Sequence, residues 1–464
     1  MNDKIQVKDV TKSYDLYKAH QKIYIRRIKG YFNSLRFSGN IVLFALFFGI
    51  PWITQANRQS VLFDLPARKF HIFNITFWPQ DFILLSWFMI IAAFALFFVT
   101  VIAGRIWCGY TCPQSAWTWI FVWIEEKTEG KRNSRIKLDA ESASVLKGLR
   151  KTAKHVLWLL VGFLTAATFV GYFYPIRELF VDIARLDLSG WSLFFIGFFT
   201  LATYGNAGWL REQVCIYMCP YARFQSVMFD KDTLIVSYDP ARGEHRGRRR
   251  RGVDPSTIGL GDCIDCDLCV QVCPTGIDIR DGLQYECISC AACVDACDSV
   301  MDKMGYEPGL ISYTTESNLL GVKTKFFRPR LIGYGITMIV IIAMFAVTLN
   351  QRIPLELDII RDRDVLHRIT AEGNIENRYN LKIMNMSHDD KEFILSASGL
   401  DNLTIVDAPQ ILIPAGGTLD FRIQLEAPTT AMNVPRKTIY LSVTEQPDTG
   451  IRVTEETRFF GPIY

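Results

Sequence analysis

CIDCDLCVQVCP runs from Cys263 to Pro274, and CISCAACVDAC from Cys287 to Cys297. Both space their cysteines as C-x2-C-x2-C-x3-C. Three thiolates this close in sequence wrap one corner of a [4Fe–4S] cube, which needs a soft ligand on each iron. The fourth ligand must come from elsewhere, and in two-cluster ferredoxins the fourth cysteine of each run serves the other cluster. That gives one cluster on Cys263, Cys266, Cys269 and Cys297, and a second on Cys287, Cys290, Cys293 and Cys273. Zinc would want four-ligand sets and gains nothing from two matched runs. A disulfide framework is out of place where thiols stay reduced. The second run has Asp298 where the first has Pro274, a residue that helps a turn and ligates nothing. Gly276 and the residues Ile277–Ile279 are expected to shape that turn and cover the first cluster with apolar bulk. Paired clusters mean a one-electron relay, and no GxGxxG or Walker loop offers a nucleotide site.

Outward from these runs the chain alternates long apolar stretches with charged ones, which a soluble domain of 464 residues would not need. A net charge of +4 is too small to argue for nucleic acid. Membrane lipid is the partner the apolar runs require. A bilayer takes about 20 apolar residues per helix, and five segments qualify, near 41–56, 82–102, 156–174, 191–209 and 331–349. Residues 1–39 are basic without an apolar h-region, so the first run reads as a retained anchor and not a secretory signal. Lys and Arg number nine in 1–39, three in 57–80, nine in 104–153, two in 175–190 and fifteen in 210–330. This alternation orients a multi-pass inner-membrane protein with its N-terminus in the cytoplasm. The expected plan is a cytoplasmic segment 1–39, a transmembrane region 40–230, a cytoplasmic dicluster ferredoxin domain with a basic loop at 231–330, a fifth helix at 331–349, and 352–464 outside. Trp52, Trp78, Trp107, Trp191 and Trp209 fall near span ends, as in an aromatic belt.

The outer region alternates apolar and polar residues in YNLKIMNMS, EFILSASG, NLTIVDA, LDFRIQLEA, KTIYLSVTE and IRVTEETRFF, broken by turn-rich stretches. That is the pattern of an all-β sandwich.

A second cysteine motif occurs twice, CGYTCPQ at Cys108–Gln114 and CIYMCPY at Cys215–Tyr221, each after an apolar span. On a continuing helix, residues four apart share a face, and the proline then ends or kinks it. Cys108, Cys112, Cys215 and Cys219 together offer four soft ligands or two dithiols at the bilayer boundary. Copper(I), a third iron centre and thiol–disulfide cycling all remain open for them; the bland reading is buried small side chains. Arg105, Arg211 and Arg223 lie close enough in sequence to depress thiol pKa values or to anchor the interface, while Gln114 and Gln225 are too generic to assign. Of His20, His71, His155, His245, His367 and His388, only His155, at a span start, merits a test as a metal or haem ligand. The tract RGRRRR within Arg242–Arg251 reads as a solvated, lipid-facing segment.

The order of parts (spans, CGYTCP, CIYMCPYARFQ, two ferredoxin runs, outer β domain) resembles the cytochrome c oxidase accessory proteins of the FixG/CcoG type, over nearly the whole chain. The resemblance implies a five-helix transmembrane bundle in a bacterial inner membrane, a cytoplasmic 2[4Fe–4S] ferredoxin domain, and a C-terminal periplasmic immunoglobulin-like β-sandwich. It further implies reduction of Cu(II) to Cu(I) during assembly of a cbb3-type oxidase, with Cys108, Cys112, Cys215 and Cys219 as the metal-facing, catalytic thiols. Assembly factors or a copper transporter would then be partners, the electron donor is unnamed, and a homo-oligomer is compatible with it. A quinol-linked conduit to a respiratory reductase and a structural scaffold are the competing functions.

Overall fold

A computed structural model describes residues 22–55, 58–362, 366–387, 389–407, 410–447 and 450–462. His20, His388 and much of the basic N-terminal segment lie outside the described residues. Among the described residues five helices are long and apolar enough to cross a membrane: Tyr31–Trp52, Pro79–Ala103, Val145–Val170, Gly190–Leu210 and Pro329–Asn350. The first and third begin about ten residues before their apolar runs. Hydropathy sees only the lipid-compatible part of a helix, whereas the polar turns ahead of it are good helix formers too. In the third, Ser144 caps the start by accepting from the Lys147 amide at 3.2 Å.

The five helices are unequally buried. The third span buries 39% of its apolar window, the second and fifth only 6% each. Those two are apolar on every side and leave that surface for lipid. The third and fourth spans approach closely at Gly162, where an added Cβ would lie 3.0 Å from the Thr200 carbonyl oxygen. Against them packs an unanticipated amphipathic helix, Pro113–Glu129. Trp158 Nε1 donates to the Phe121 carbonyl at 3.1 Å, and Trp117 Nε1 donates to Thr165 Oγ1 at 2.9 Å.

The chain divides into two compact units. One takes in the described residues to Ile53 together with Ala92–Met338. The other comprises Thr54–Ile91 and Ile339–Tyr464. In the second unit, strands Thr404–Val406, Thr418–Pro428, Asn374–Asn385 and Leu355–Arg361 form one antiparallel sheet in that order, with Arg368–Ile369 beside Asn374–Asn385. Ile411–Ile413, Lys391–Ser398, Arg436–Gln446 and Arg452–Phe460 form the other. Alternate residues of the two, such as Leu381, Ile383, Leu425, Leu441 and Val443, bury themselves in one core. The segment between the first two spans folds as a three-stranded antiparallel meander, Val61–Asp64, Lys69–Ile72 and Ile75–Phe77. Trp78 packs on Met384 and Met386, so it serves this unit's core and not a membrane belt. Arg352 pairs with Asp81 nearby at 2.7 Å.

Candidate functional site

Strands Ile235–Tyr238 and Ile311–Thr314 pair antiparallel in the first unit and frame the two cysteine runs. In each run the residue before the second cysteine and the residue after it are left-handed: Asp265 at φ 52° and Asp267 at 56°, Ser289 at 51° and Ala291 at 56°. Non-glycine residues avoid this region, so four of them at matched positions mark a backbone bent twice around the same kind of object. Helices Leu268–Gln271 and Ala292–Met304 start immediately afterwards, carrying Cys269 and Cys293 in their first turns with free backbone N–H groups beside them. Pro274 follows the first helix, whereas Asp298 lets the second continue and accepts from the Gly309 amide at 2.8 Å.

Two cavities result. Cys263, Cys266, Cys269 and Cys297 line the first, under Tyr238 and Met301. Cys273, Cys287, Cys290 and Cys293 line the second, with Cys269 at its edge. Well-packed interiors leave few voids larger than a water molecule, and each of these is ringed by four soft donors, which fits a [4Fe–4S] cube. Among the described residues no three His, Cys, Asp or Glu side chains converge on a point suited to one metal ion. Burial pushes the Cys269, Cys287 and Cys297 thiols up to about 12, so their protons leave only in exchange for a bound cation. Ile277 and Ile279 cover the second cavity and not the first, because the chain after Cys273 crosses over with that cysteine.

Sequence reasoning missed Arg280. Its side chain is 6% exposed, and it bonds Asp265 at 2.8 Å, Asp267 at 2.7 Å and Asp278 at 2.6 Å, holding both strained aspartates at the first cavity. Acidic residues inside a cysteine run were the available signal that a cation is needed. The basic tract is tied to the same run while Arg248, Arg250 and Arg251 stay exposed: the Gly247 amide bonds the Cys263 carbonyl at 3.2 Å, and Arg249 Nε donates to the Tyr306 hydroxyl at 2.9 Å.

At the membrane-edge motifs the cysteines of each pair do not share one helix. After Gly104, at φ 53°, a short helix Ile106–Tyr110 carries Cys108, while Cys112 caps the next helix, whose first residue is Pro113. In the second motif Cys215 lies on a π-helical turn, Val214–Met218, and Cys219 caps Pro220–Met228. Proline at the first helical position starts a helix at no hydrogen-bond cost, which is why it opens a new one here instead of ending the old. The four thiols are half-buried and unpaired by disulfides, and they lie within electrostatic reach of one another. Burial, then repulsion from Cys112, pushes both Cys108 and Cys215 up to about 12, opposed by Arg105.

Arg105 is buried at 4% exposure. Its Nη2 donates to the Ala222 carbonyl at 2.6 Å, its Nη1 donates to the Tyr285 carbonyl, and its charge reaches Cys108, Cys215 and Cys287 alike. Gln225, also unassigned from sequence, is fully buried. It accepts from Cys108 Sγ at 3.4 Å and donates to Thr100 Oγ1 at 3.3 Å. Gln114 Nε2 donates to the Asn206 and Arg211 carbonyls at 2.8 and 3.1 Å, tying the two motifs together. Arg211 itself pairs with Glu125 at 2.7 Å, and Arg223 is exposed. The short helix sits directly on the second cysteine run: a Cβ at Gly109 would lie 2.8 Å from the Ile288 carbonyl oxygen and 2.9 Å from Cys290 Cα.

Comparison with known proteins agrees with this layout. Residues 210–316 match a 4Fe-4S dicluster domain, 85–127 a 4Fe-4S binding domain, and 345–462 the IG-like fold at the C-terminal of FixG. The nitrogen fixation protein FixG of Rhizobium meliloti (strain 1021) is 36% identical over 434 residues, covering 85% of this chain and 82% of FixG. Protein RdxB of Cereibacter sphaeroides is 34% identical over 476 residues, covering 97% and 98%. The chain belongs to the FixG/RdxA–RdxB family. A crystal structure of a FixG-related protein from Vibrio parahaemolyticus is 27% identical and covers 24% of this chain and 98% of its own, with a TM-score of 0.22. As a FixG-family member this is a membrane-associated iron–sulfur oxidoreductase. The cysteines within its 85–127 match are Cys108 and Cys112, and its dicluster match takes in Cys215 and Cys219 as well as both ferredoxin runs.

Proposed function

We propose that this chain is a quinol-linked electron conduit to a respiratory reductase, drawing electrons from the membrane and passing them singly through two [4Fe–4S] clusters beside four membrane-edge thiols that could hold a further metal centre. The observation that carries it is the seating of the Cys108 helix on the Cys290 loop at Gly109, which brings the backbone of the thiol motif against the loop that lines the second cavity. In this reading Cys263, Cys266, Cys269 and Cys297 hold one cluster and Cys273, Cys287, Cys290 and Cys293 the other. A bound [4Fe–4S] cluster supplies reversible one-electron exchange. The chain's own groups bury it, set its charge through Arg280 and Arg105, and keep the cluster domain on the cytoplasmic face. Reduction of the clusters by a short-chain quinol in vesicles, read by EPR against a dithionite standard, tests it. A signal from dithionite and none from quinol would refute the linkage.

A second reading, cupric reduction during assembly of a cbb3-type oxidase, is favoured by the gathering of four half-buried thiols. Soft sulfur stabilises Cu(I) over Cu(II), and the reduction takes one electron. Cluster-loaded protein should then form Cu(I) faster than its Cys108→Ser/Cys215→Ser variant, and equal rates would remove those thiols from the reaction. Oxidase assembly factors or a copper transporter would receive the product. The 4Fe-4S match over 85–127 supports iron at the same thiols, which would raise the iron content above the eight atoms of two cubes.

A further inference from the structure

A cavity of about 350 Å³ opens beside the third and fourth spans, lined by Lys151, Lys154, His155, Trp158, Trp209 and Arg211 among others. That volume is in the range of small-molecule sites. Its walls form an aromatic slot. The His155 ring stacks on Trp209 with centroids 6.0 Å apart and planes at 17°, and meets Trp158 edge-on at 5.3 Å. The Tyr204 hydroxyl engages His155 Nδ1 at 3.0 Å, so Nε2 is the imidazole nitrogen offered to a ligand. Trp209, at the end of a membrane-length helix, is 61% exposed, so the slot has an open edge there.

Each of Lys22, Lys151, Lys154 and Arg211 at the lining already has a carboxylate partner. Arg211 pairs with Glu125 at 2.7 Å, Lys154 with Glu129 at 2.9 Å, and Lys151 with Glu129 and Asp139 at 3.1 and 2.5 Å. Lys22, also at the lining, pairs with Asp139 at 2.8 Å. A neutral, flat, oxygen-bearing ring would leave these pairs intact, whereas a phosphate would compete with the carboxylates for them.

The backbone here is also specialised. Tyr204–Leu210 is π-helical, a conformation concentrated at functional sites. Arg211, which follows it, holds φ 45° without being glycine. Gly208 admits the Trp158 ring, since a Cβ there would meet Trp158 Cε3 at 2.9 Å. Arg211 also links the slot to the thiols: its guanidinium lines the cavity while its carbonyl accepts from Gln114, two residues from Cys112.

We infer that this slot binds the ring of a membrane quinol, with His155 Nε2 on one ring oxygen and the tail leaving past Trp209. The inference rests on the conduit reading and names where its substrate enters. Oxidation there converts the quinol to the quinone. The quinol's two electrons would pass one at a time to iron–sulfur acceptors held by the ferredoxin cysteines, and one proton would go to His155 and the other to water at the mouth.

The test is equilibrium binding of decylubiquinone to the full-length, cluster-loaded protein in detergent, with free and bound quinone separated and counted. Saturable binding to the unmodified chain, weakened at least tenfold in both His155→Phe and Trp209→Leu at unchanged iron content and dithionite-reduced EPR signal, is the expected result. Equal affinity in all three proteins overturns the site, as does phosphatidylglycerol binding with no saturable quinone. Trp209→Leu alters a mostly exposed side chain, so a folding failure in His155→Phe still leaves the site open to refutation. If decylubiquinol reduces the clusters equally in all three, the conduit survives and this slot does not. If binding follows the expected pattern and no cluster is reduced, the slot stands as a quinone site and the conduit falls.

Discussion

At the scale of single residues, charge inside the cysteine runs sets the two centres apart. The first is bordered by Asp265, Asp267 and Asp278, gathered on Arg280; the matching positions of the second are Ser289 and Ala291, with buried Arg105 near Cys287. Replacing Arg280 by Gln strips one buried positive charge from beside the first cavity and leaves its carboxylates unpaired. Added negative field disfavours an incoming electron, so the first centre's reduction potential should fall, by roughly 50–100 mV for one charge some 8 Å away at an effective dielectric of about 20. The second centre should hardly move. Potentiometric EPR that resolves the two signals checks this, and equal shifts in both would contradict it. The cysteines were legible because their chemistry is local, three ligands within seven residues. Arg280 and Gln225 were not, because their partners are brought to them by the fold and neither sits at a diagnostic spacing.

At the scale of elements, the apolar runs announced five helices but misplaced two starts, since a helix outlasts the hydrophobic part of its sequence. The CxxxCP motif reads equally well as one kinked helix or two; the structure chose two, with proline opening the second. The π turns that carry Tyr204, Trp209 and Cys215 had no signature in the sequence. The contact between the Ile106–Tyr110 helix and the Cys287–Cys293 loop was equally hidden, for it depends on a residue with no side chain. Gly109→Val would drive two methyl groups into the Ile288 carbonyl and the Cys290 backbone, and overpacking of that kind costs about 1–3 kcal/mol. The helix must lift or the loop must deform. The second centre should then lose iron or change its EPR line shape while the first keeps both. Gly197→Ala, where an added Cβ meets nothing within 4 Å, should leave both centres intact. A Gly109→Val protein with both spectra unchanged and unimpaired cluster reduction by quinol would show that the packing does not couple the sites.

At the scale of the whole molecule, the two units draw their stability from different sources. The sandwich core is a continuous set of eighteen buried residues, most of them Ile, Leu and Val, and burying each such side chain is worth about 1.5–3 kcal/mol. The cluster region has a smaller core in which Cys263 and Cys269 are themselves members, wrapped round two cavities that apolar side chains do not fill. Four left-handed residues and a set of buried thiols have to be held there by something other than hydrophobic burial. If iron provides that hold, removing it should release the region as a block. Anaerobic chelation followed by hydrogen exchange on the full chain should therefore strip protection from strands Ile235–Tyr238 and Ile311–Thr314 and from helix Ala292–Met304. Strands Asn374–Asn385 and Arg436–Gln446 should keep theirs. Restoring iron and sulfide should bring the protection back together with the EPR signal, and because Cys297 and Cys273 each reach across to the other run's cavity, both centres should return together and neither alone. Protection that survives complete iron loss would mean that the cysteine-lined cavities are packed without a cofactor, and the relay would have no physical basis.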